Sequence, residues 1–238
     1  MSYQSVCLGY SPLLYYRNKE TTGTVAADTS TNARNGTYTD AYTLNQTDSP
    51  ITSDATSRSI LYDGSDSYIA NAYNPFTGQK SFFGWAKRTD TTNNHAFFGG
   101  ASASTSPGLY LASGSQNVFW APDMSATAVQ FDSNWPSDAA WHSWMLTFDN
   151  ATFTSIFYID GVQDGVSKNP GNGYNATPGG FQVSGRGTFQ YCWKGKIGET
   201  MIVNGILVAS DALALTQAAT TGGVSPVGPQ ESGFWAVR

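Results

Sequence analysis

Charge is scarce in this chain. Lys, Arg, Asp and Glu together make up 12% of its 238 residues. Amphipathic helices need long charged side chains on their outer faces, so a helix-rich fold is excluded in favour of short strands joined by turns. The abundance of Gly, Ser, Thr and Asn suits such turns. Basic charge is scarcer still: the net charge of -5 and pI near 4.8 leave no surplus to displace phosphate counterions, which excludes a nucleic-acid partner. No apolar run approaches the roughly 20 residues that cross a bilayer as a helix, so membrane insertion is not expected. Cysteine occurs twice, as Cys7 and Cys192. The pair cannot build a metal cluster, and stands either for one disulfide or for two buried thiols. His95 and His142 lie far apart, and there is neither a Gly-x-Ser-x-Gly elbow nor a phosphate-cradling glycine loop before a helix. The first ten residues carry neither the basic segment nor the sustained apolar stretch of a secretory signal. Four Asn-x-Thr sequons (Asn35, Asn45, Asn150, Asn175) are what chance supplies in a chain so rich in Asn and Thr.

Aromatic side chains, by contrast, are plentiful at 14%, and their placement is ordered. Trp144, Leu146 and Phe148 recur at every second position, the period at which side chains share one face of a strand. Asn150 and Ala151 interrupt that run, Ile156 to Ile159 resume it, and Asp160-Gly161 supplies residues suited to positive φ in a tight turn. A Trp-His strand start (Trp141-His142) followed by Tyr-x-Asp-Gly (Tyr158 to Gly161) resembles the central hairpin of the concanavalin A-like jelly rolls, in particular their laminin-G-like and pentraxin-like branch. Other segments resemble that branch in the same order. An aromatic first strand and Asp-x-Ser-x-Asn loop run from Tyr15 to Tyr38. A strand–turn–strand runs from Leu61 to Ile69, and an inward aromatic strand from Ser81 to Arg88. Near the end, Gly195-Lys196-Ile197-Gly198-Glu199 leads an apolar strand, with Gly198 where the family usually has Asp.

A single domain of this length buries roughly 70% of its unfolded surface. The expected architecture is all-β: a two-sheet antiparallel β-sandwich, a concanavalin A-like jelly roll, with one short C-terminal helix over Ser210 to Ala219 capped by Ser210. Residues 1–14 are expected to form an N-terminal arm, 15–219 the jelly roll, and 220–238 an extended tail. The apolar Phe234 to Val237 cluster in that tail suggests docking against the domain or a neighbouring subunit.

The resemblance implies binding of glycans or other surface ligands, or, in a minority, glucan hydrolysis. Hydrolysis needs two carboxylates across the scissile bond. The glutamates are Glu20, Glu199 and Glu231, none with a carboxylate two residues away, and Asp63 and Asp66 flank a turn. No catalytic residue is expected, and the His142 strand start is structural. For sugar stacking, the candidates are Trp120 and Trp135 at strand–loop edges and Tyr174 in a glycine-rich loop. Calcium is the ion the resemblance implies. The Asp28 to Asn35 loop, through Asp28 and Asn32, is its expected place, and an Asx-type turn is the competing reading of the same residues. Asp160 reads as a hairpin-turn residue.

An outward-facing module without a secretory signal fits the surface of a virus particle, especially a bacteriophage. The function expected first is therefore a non-catalytic capsid-decoration or tail protein, held by its termini to a capsid or tail protein and aiding adhesion through surface glycans. It would be a homo-oligomer or part of a larger assembly. A soluble or secreted, extracellular lectin-like module is the alternative, and a glycoside hydrolase a distant one.

Overall fold

The computed structural model describes residues 1–102, 106–123, 128–174, 179–187 and 191–222. Two antiparallel sheets of eight strands each face one another. The first sheet runs, edge to edge, through Val162–Gln163, Thr154–Ile159, His142–Asp149, Lys80–Arg88, Lys194–Asn204, Ser59–Asp63 and Tyr42–Gln46, with Leu14–Tyr16 also paired to Lys194–Asn204. The second runs through Val129–Asn134, Asn117–Ala121, Gly108–Leu111, His95–Gly100, Phe181–Val183, Tyr68–Asn71, Gly36–Thr39 and Val25–Ala26. The expected β-sandwich is present.

The hairpin legible in the sequence forms as read. Trp144 pairs with Ile159, Leu146 with Phe157 and Phe148 with Ser155. Asp160 and Gly161 both adopt positive φ (52° and 79°), which turns the chain into the next short strand. Trp144, Leu146 and Phe148 all point into the core between the sheets, where they meet Phe82, Phe97, Phe98 and Trp193. The two cysteines are separate buried thiols.

The first sheet is buried on its other side as well. Phe83, Trp85, Met145, Met201 and Val203, the neighbours of the core residues along each strand, form a second apolar cluster. Two helices cover it. The C-terminal helix spans Ala209–Thr221, longer by a residue or two at each end than the sequence implied. Its N-cap is Val208 instead of Ser210, and the Asp211 carboxylate accepts from the Val208 amide at 2.9 Å. Residues 1–14 are not an arm. Tyr3–Gly9 is a helix whose Tyr3, Val6 and Cys7 sink into the second cluster, and the Tyr3 hydroxyl accepts from the Trp85 indole at 3.0 Å. The correction has a simple cause. Seven residues with three buried positions are too short for helical periodicity to declare itself, and the sheet face that needs covering is assembled from distant strands. The tail from 223 onward, with its apolar cluster, lies outside the described residues.

Candidate functional site

Strand alternation decides which aromatics can reach a ligand. In Gly108–Leu111, Leu109 and Leu111 enter the core and Tyr110 faces outward. In Asn117–Ala121, Val118 and Trp120 enter and Phe119 faces outward. Tyr110 and Phe119 are directly paired across the two strands, and their rings stack at 5.6 Å and 16°. Tyr191, beyond the Ala96 edge, stacks on the other face of Tyr110 at 5.4 Å and 15°. The result is a row of three half-buried rings on the outer face of the second sheet.

Arg186 lies beside that row. Its guanidinium sits over Tyr191 at 4.8 Å and Tyr110 at 5.8 Å. Its stem runs across Gly99 and Gly108, where an added Cβ would meet Arg186 carbons at 2.5 Å; those positions leave no room for a side chain. Arg186 is buried, and burial lowers its pKa while the two tyrosines oppose the shift. Among the described residues, Nε and Nη1 of Arg186 find no acceptor, and the buried Gln182 Oε1, one strand across from Gly99, finds no donor. Unmet donors and an unmet acceptor beside stacked rings suit a hydroxyl-rich ligand, which carries both hydrogen-bonding roles.

The residues expected to bind sugar sit elsewhere. Trp120 is fully buried because alternation turns it inward, against Phe98, Phe148 and Tyr174. Trp135 is also fully buried. Its backbone amide donates to the Gln116 carbonyl at 2.7 Å, and its ring closes one end of the sandwich against Phe97, Trp193 and His142. Tyr174 packs on Phe148 at 4.8 Å and on Phe76 at 5.6 Å, so it too belongs to the core's margin. The signal that would have found the outer row was already used on the hairpin: Leu-Tyr-Leu and Val-Phe-Trp each display one outward aromatic.

The Asp28 loop does not fit calcium. Asp28 Oδ1 accepts from the Tyr15 and Ser30 amides (2.8 and 2.9 Å), and Oδ2 from the Ser30 hydroxyl and the Arg34 amide (2.8 and 2.7 Å). Four donors occupy the carboxylate's lone pairs, leaving none for a cation. Asn32 turns its amide nitrogen, a donor, toward the Pro12 carbonyl at 3.1 Å. The competing Asx-type turn is what forms, and it ties the first strand to the loop. Among the described residues no group of three or more His, Cys, Asp or Glu is arranged to hold a metal.

The two described glutamates, Glu199 and Glu20, are both engaged by neighbouring groups. Glu199 is buried beneath the N-terminal helix, where it accepts from the Tyr15 hydroxyl and from Arg17 Nε at 3.2 Å. Burial, only partly offset by Arg17 and Tyr15, raises its pKa to about 7. A Cβ at the neighbouring Gly198 would meet Pro50 at 2.9 Å and Trp85 at 3.1 Å. Glu20 accepts from the Tyr38 hydroxyl and the Ala27 amide, and Glu231 lies outside the described residues. His142 bridges Asp160 at 2.7 Å and Asp138 at 2.9 Å. Asp160 also accepts from the Ser143 amide at 2.9 Å, so the group locks the hairpin turn.

Comparison with known proteins identifies the superfamily. A family model described as the concanavalin A-like lectin/glucanases superfamily (Laminin_G_3) matches residues 63–212. The chain belongs to that superfamily. A search of the curated proteins finds no significant match. Among solved structures, domain 4 of AbnA, a GH43 extracellular arabinanase from Geobacillus stearothermophilus solved with arabinotriose, is similar at TM-score 0.64 and 18% identity; the match covers 87% of this chain and 98% of that one. The botulinum neurotoxin serotype D ligand-binding domain, solved with N-acetylneuraminic acid, has TM-score 0.63 and 15% identity, covering 92% of this chain and 53% of that one. A Trypanosoma rangeli sialidase follows at TM-score 0.65 and 11% identity, covering 90% of this chain and 34% of that one. The chain thus spans about half the length of the toxin domain and a third of the sialidase. At these identities the shared property is the superfamily's fold.

Proposed function

We propose that this domain is a non-catalytic carbohydrate-binding module that holds a sugar chain on the outer face of its second sheet. The observation that carries the reading is the Phe119–Tyr110–Tyr191 row with Arg186 beside it. The first sheet's outer face is closed by two helices, whereas the second presents half-buried stacked rings with unmet hydrogen-bonding groups buried beside them. Sugar rings pack their C–H faces on aromatic rings and direct hydroxyls to polar neighbours, which is what the row and the Arg186–Gln182 pair supply. The arabinotriose on domain 4 of AbnA, a match along nearly its whole length, favours the same class of ligand. The non-catalytic part rests on the burial of Glu199 and the engagement of Glu20. The deciding experiment is a polysaccharide and glycan panel probed with the intact protein and with Tyr110→Ala and Phe119→Ala. Saturable binding weakened about tenfold or more by each substitution, with melting temperature retained, supports the module. Binding unaffected by both would move the ligand off this face, and release of reducing sugar from the panel would overturn the non-catalytic reading.

Placement on a virus particle, through a capsid or tail protein, is a second proposal and now ranks below a lectin-like module acting outside cells. Anchoring through a free N-terminus does not support it, because that segment is built into the domain. Low charge and the Gly/Thr/Asn-rich β composition still favour it. Co-purification with particles through gradient sedimentation would support it, and recovery wholly apart from particles would remove it.

A further inference from the structure

A second arginine is held out of solvent with part of its guanidinium unpaired among the described residues, at a place that the sugar-binding reading does not use. Along Lys80–Arg88, Phe82 and Ala86 enter the core between the sheets, and the same alternation turns Arg88 inward at one end of the sandwich. Arg88 is 5% exposed. Its Nη1 lies 3.4 Å from the Ser115 carbonyl, a long hydrogen bond, and among the described residues Nε and Nη2 have no acceptor. Those two nitrogens form one edge of the guanidinium, the edge whose parallel N–H groups match both oxygens of a carboxylate or sulfate. Burying a cation with that edge unpaired is costly, and burial accordingly lowers the Arg88 pKa.

Arg88 lines a cavity of about 230 Å³ between two loops, with Thr89, Asp90 and Thr91 on one side and Pro136 and Ser137 on the other. Asp90 shares the wall but is engaged elsewhere. It accepts from the Thr92 amide at 2.8 Å and hydroxyl at 2.7 Å, and pairs with Lys194 at 3.4 Å. Lys194 therefore shares the Asp90 charge, which opposes but does not cancel the lowering of the Arg88 pKa by burial. The Thr89 hydroxyl donates to the Lys194 carbonyl at 3.3 Å, and Thr91 and Ser137 add polar residues to the lining.

We propose that this cavity is a small-oxyanion site, taking a carboxylate or sulfate group carried on a ligand about the size of one sugar unit. Arg88 grips two oxygens side by side, and the loop hydroxyls meet the rest. The site shares no residue with the outer ring row, so either can fail without the other.

The test is a titration of 15N-labelled full-length protein with glucuronate, inorganic sulfate and neutral glucose. It follows the Arg88 Nε–H resonance, assigned by its loss in Arg88→Lys. The expected result is a saturable shift with glucuronate, sulfate or both, and none with glucose. Glucuronate acting alone assigns the site to carboxylates, and sulfate acting alone assigns it to sulfate esters. Arg88→Lys, which keeps the charge but not the paired N–H edge, should weaken binding tenfold or more. An Arg88 resonance unmoved by both oxyanions, or moved no more than that of Arg58, would overturn the proposal. So would an Arg88 resonance displaced by Asp90→Asn alone and then insensitive to oxyanions, because Asp90 would then be the partner. The wild-type titration decides the matter even if Arg88→Lys does not fold.

Discussion

The two sheets differ most on the faces they turn away from each other. Behind the first sheet, Phe83, Trp85, Met145, Met201 and Val203 are covered by helices from opposite ends of the chain. Behind the second, small residues (Ala96, Gly99, Gly108) alternate with half-buried rings and an arginine. Both strand sets obey the same period of two. What separates them is the cover: large outward residues, Phe83 and Trp85 among them, are buried under helices behind the first sheet, whereas behind the second the outward residues are small or are rings left half-buried. One sheet is thereby covered on both faces, and the other keeps the outer face on which the proposed sugar site lies.

That contrast breaks most visibly from the helical side. Deleting residues 1–12 strips Tyr3, Val6, Cys7 and Tyr10 from the second cluster and leaves Trp85 and Glu199 facing water. Loss of cooperative folding, or aggregation, is expected in a thermal melt; a folded, soluble truncation would show that the helix is an ornament. Next in size is Trp120→Ala, an inward position, expected to cost about 3–5 kcal/mol in denaturant unfolding as a large core truncation does. Its neighbour Phe119→Ala should cost under about 1 kcal/mol and instead weaken glycan binding about tenfold, or about 1.4 kcal/mol. A reversal of those two outcomes would invert the assignment of faces.

A smaller effect concerns pH. Glu199 has its pKa raised from 4.5 to about 7 by burial, so the folded state holds a proton that the unfolded chain releases. Stability from that proton is complete below pH 4.5 and is lost as pH rises toward about 7. His142 has its pKa raised because hydrogen bonds and charge from Asp160 and Asp138 outweigh burial, so its contribution is likewise lost as pH rises through the folded value. Below about pH 4 the opposite limb begins. In Asp48, burial is outweighed by hydrogen bonds from Lys87, Trp141 and Lys196, which bring the pKa to about 2 and add stability that acid removes. Unfolding followed across pH should therefore show greatest stability in mildly acidic solution, with Glu199→Gln flattening the fall between pH 5 and 7. An unchanged slope in that variant would remove Glu199 from the account.

How much was legible varies by element. The Trp144–Phe148 hairpin, its Asp160-Gly161 turn and the C-terminal helix could be read because their patterns are local and long enough to repeat. Trp120, Trp135 and Tyr174 were placed outside because proline and glycine nearby suggest loops, yet a loop residue can still fold its ring into an open end of a sandwich. Asp28 and Asn32 carried the composition of a cation loop, and only the direction of four donors shows that the carboxylate is already satisfied. Tyr110 and Phe119 sat in recognised strands without being recognised as the outward members.

The sequence by itself determined that the chain is an antiparallel β-sandwich of this superfamily, because period-two patterning, turn residues and motif order are properties of neighbours along the chain. Which sheet face is sealed was decided by tertiary structure alone, since the first helix, the last helix and the strands they cover are separated by most of the chain's length. The same holds for the ring row and for the nitrogens of Arg186 and Arg88 left unpaired among the described residues. A side chain's unmet hydrogen bonds depend on every segment that packs around it, and no local pattern records them.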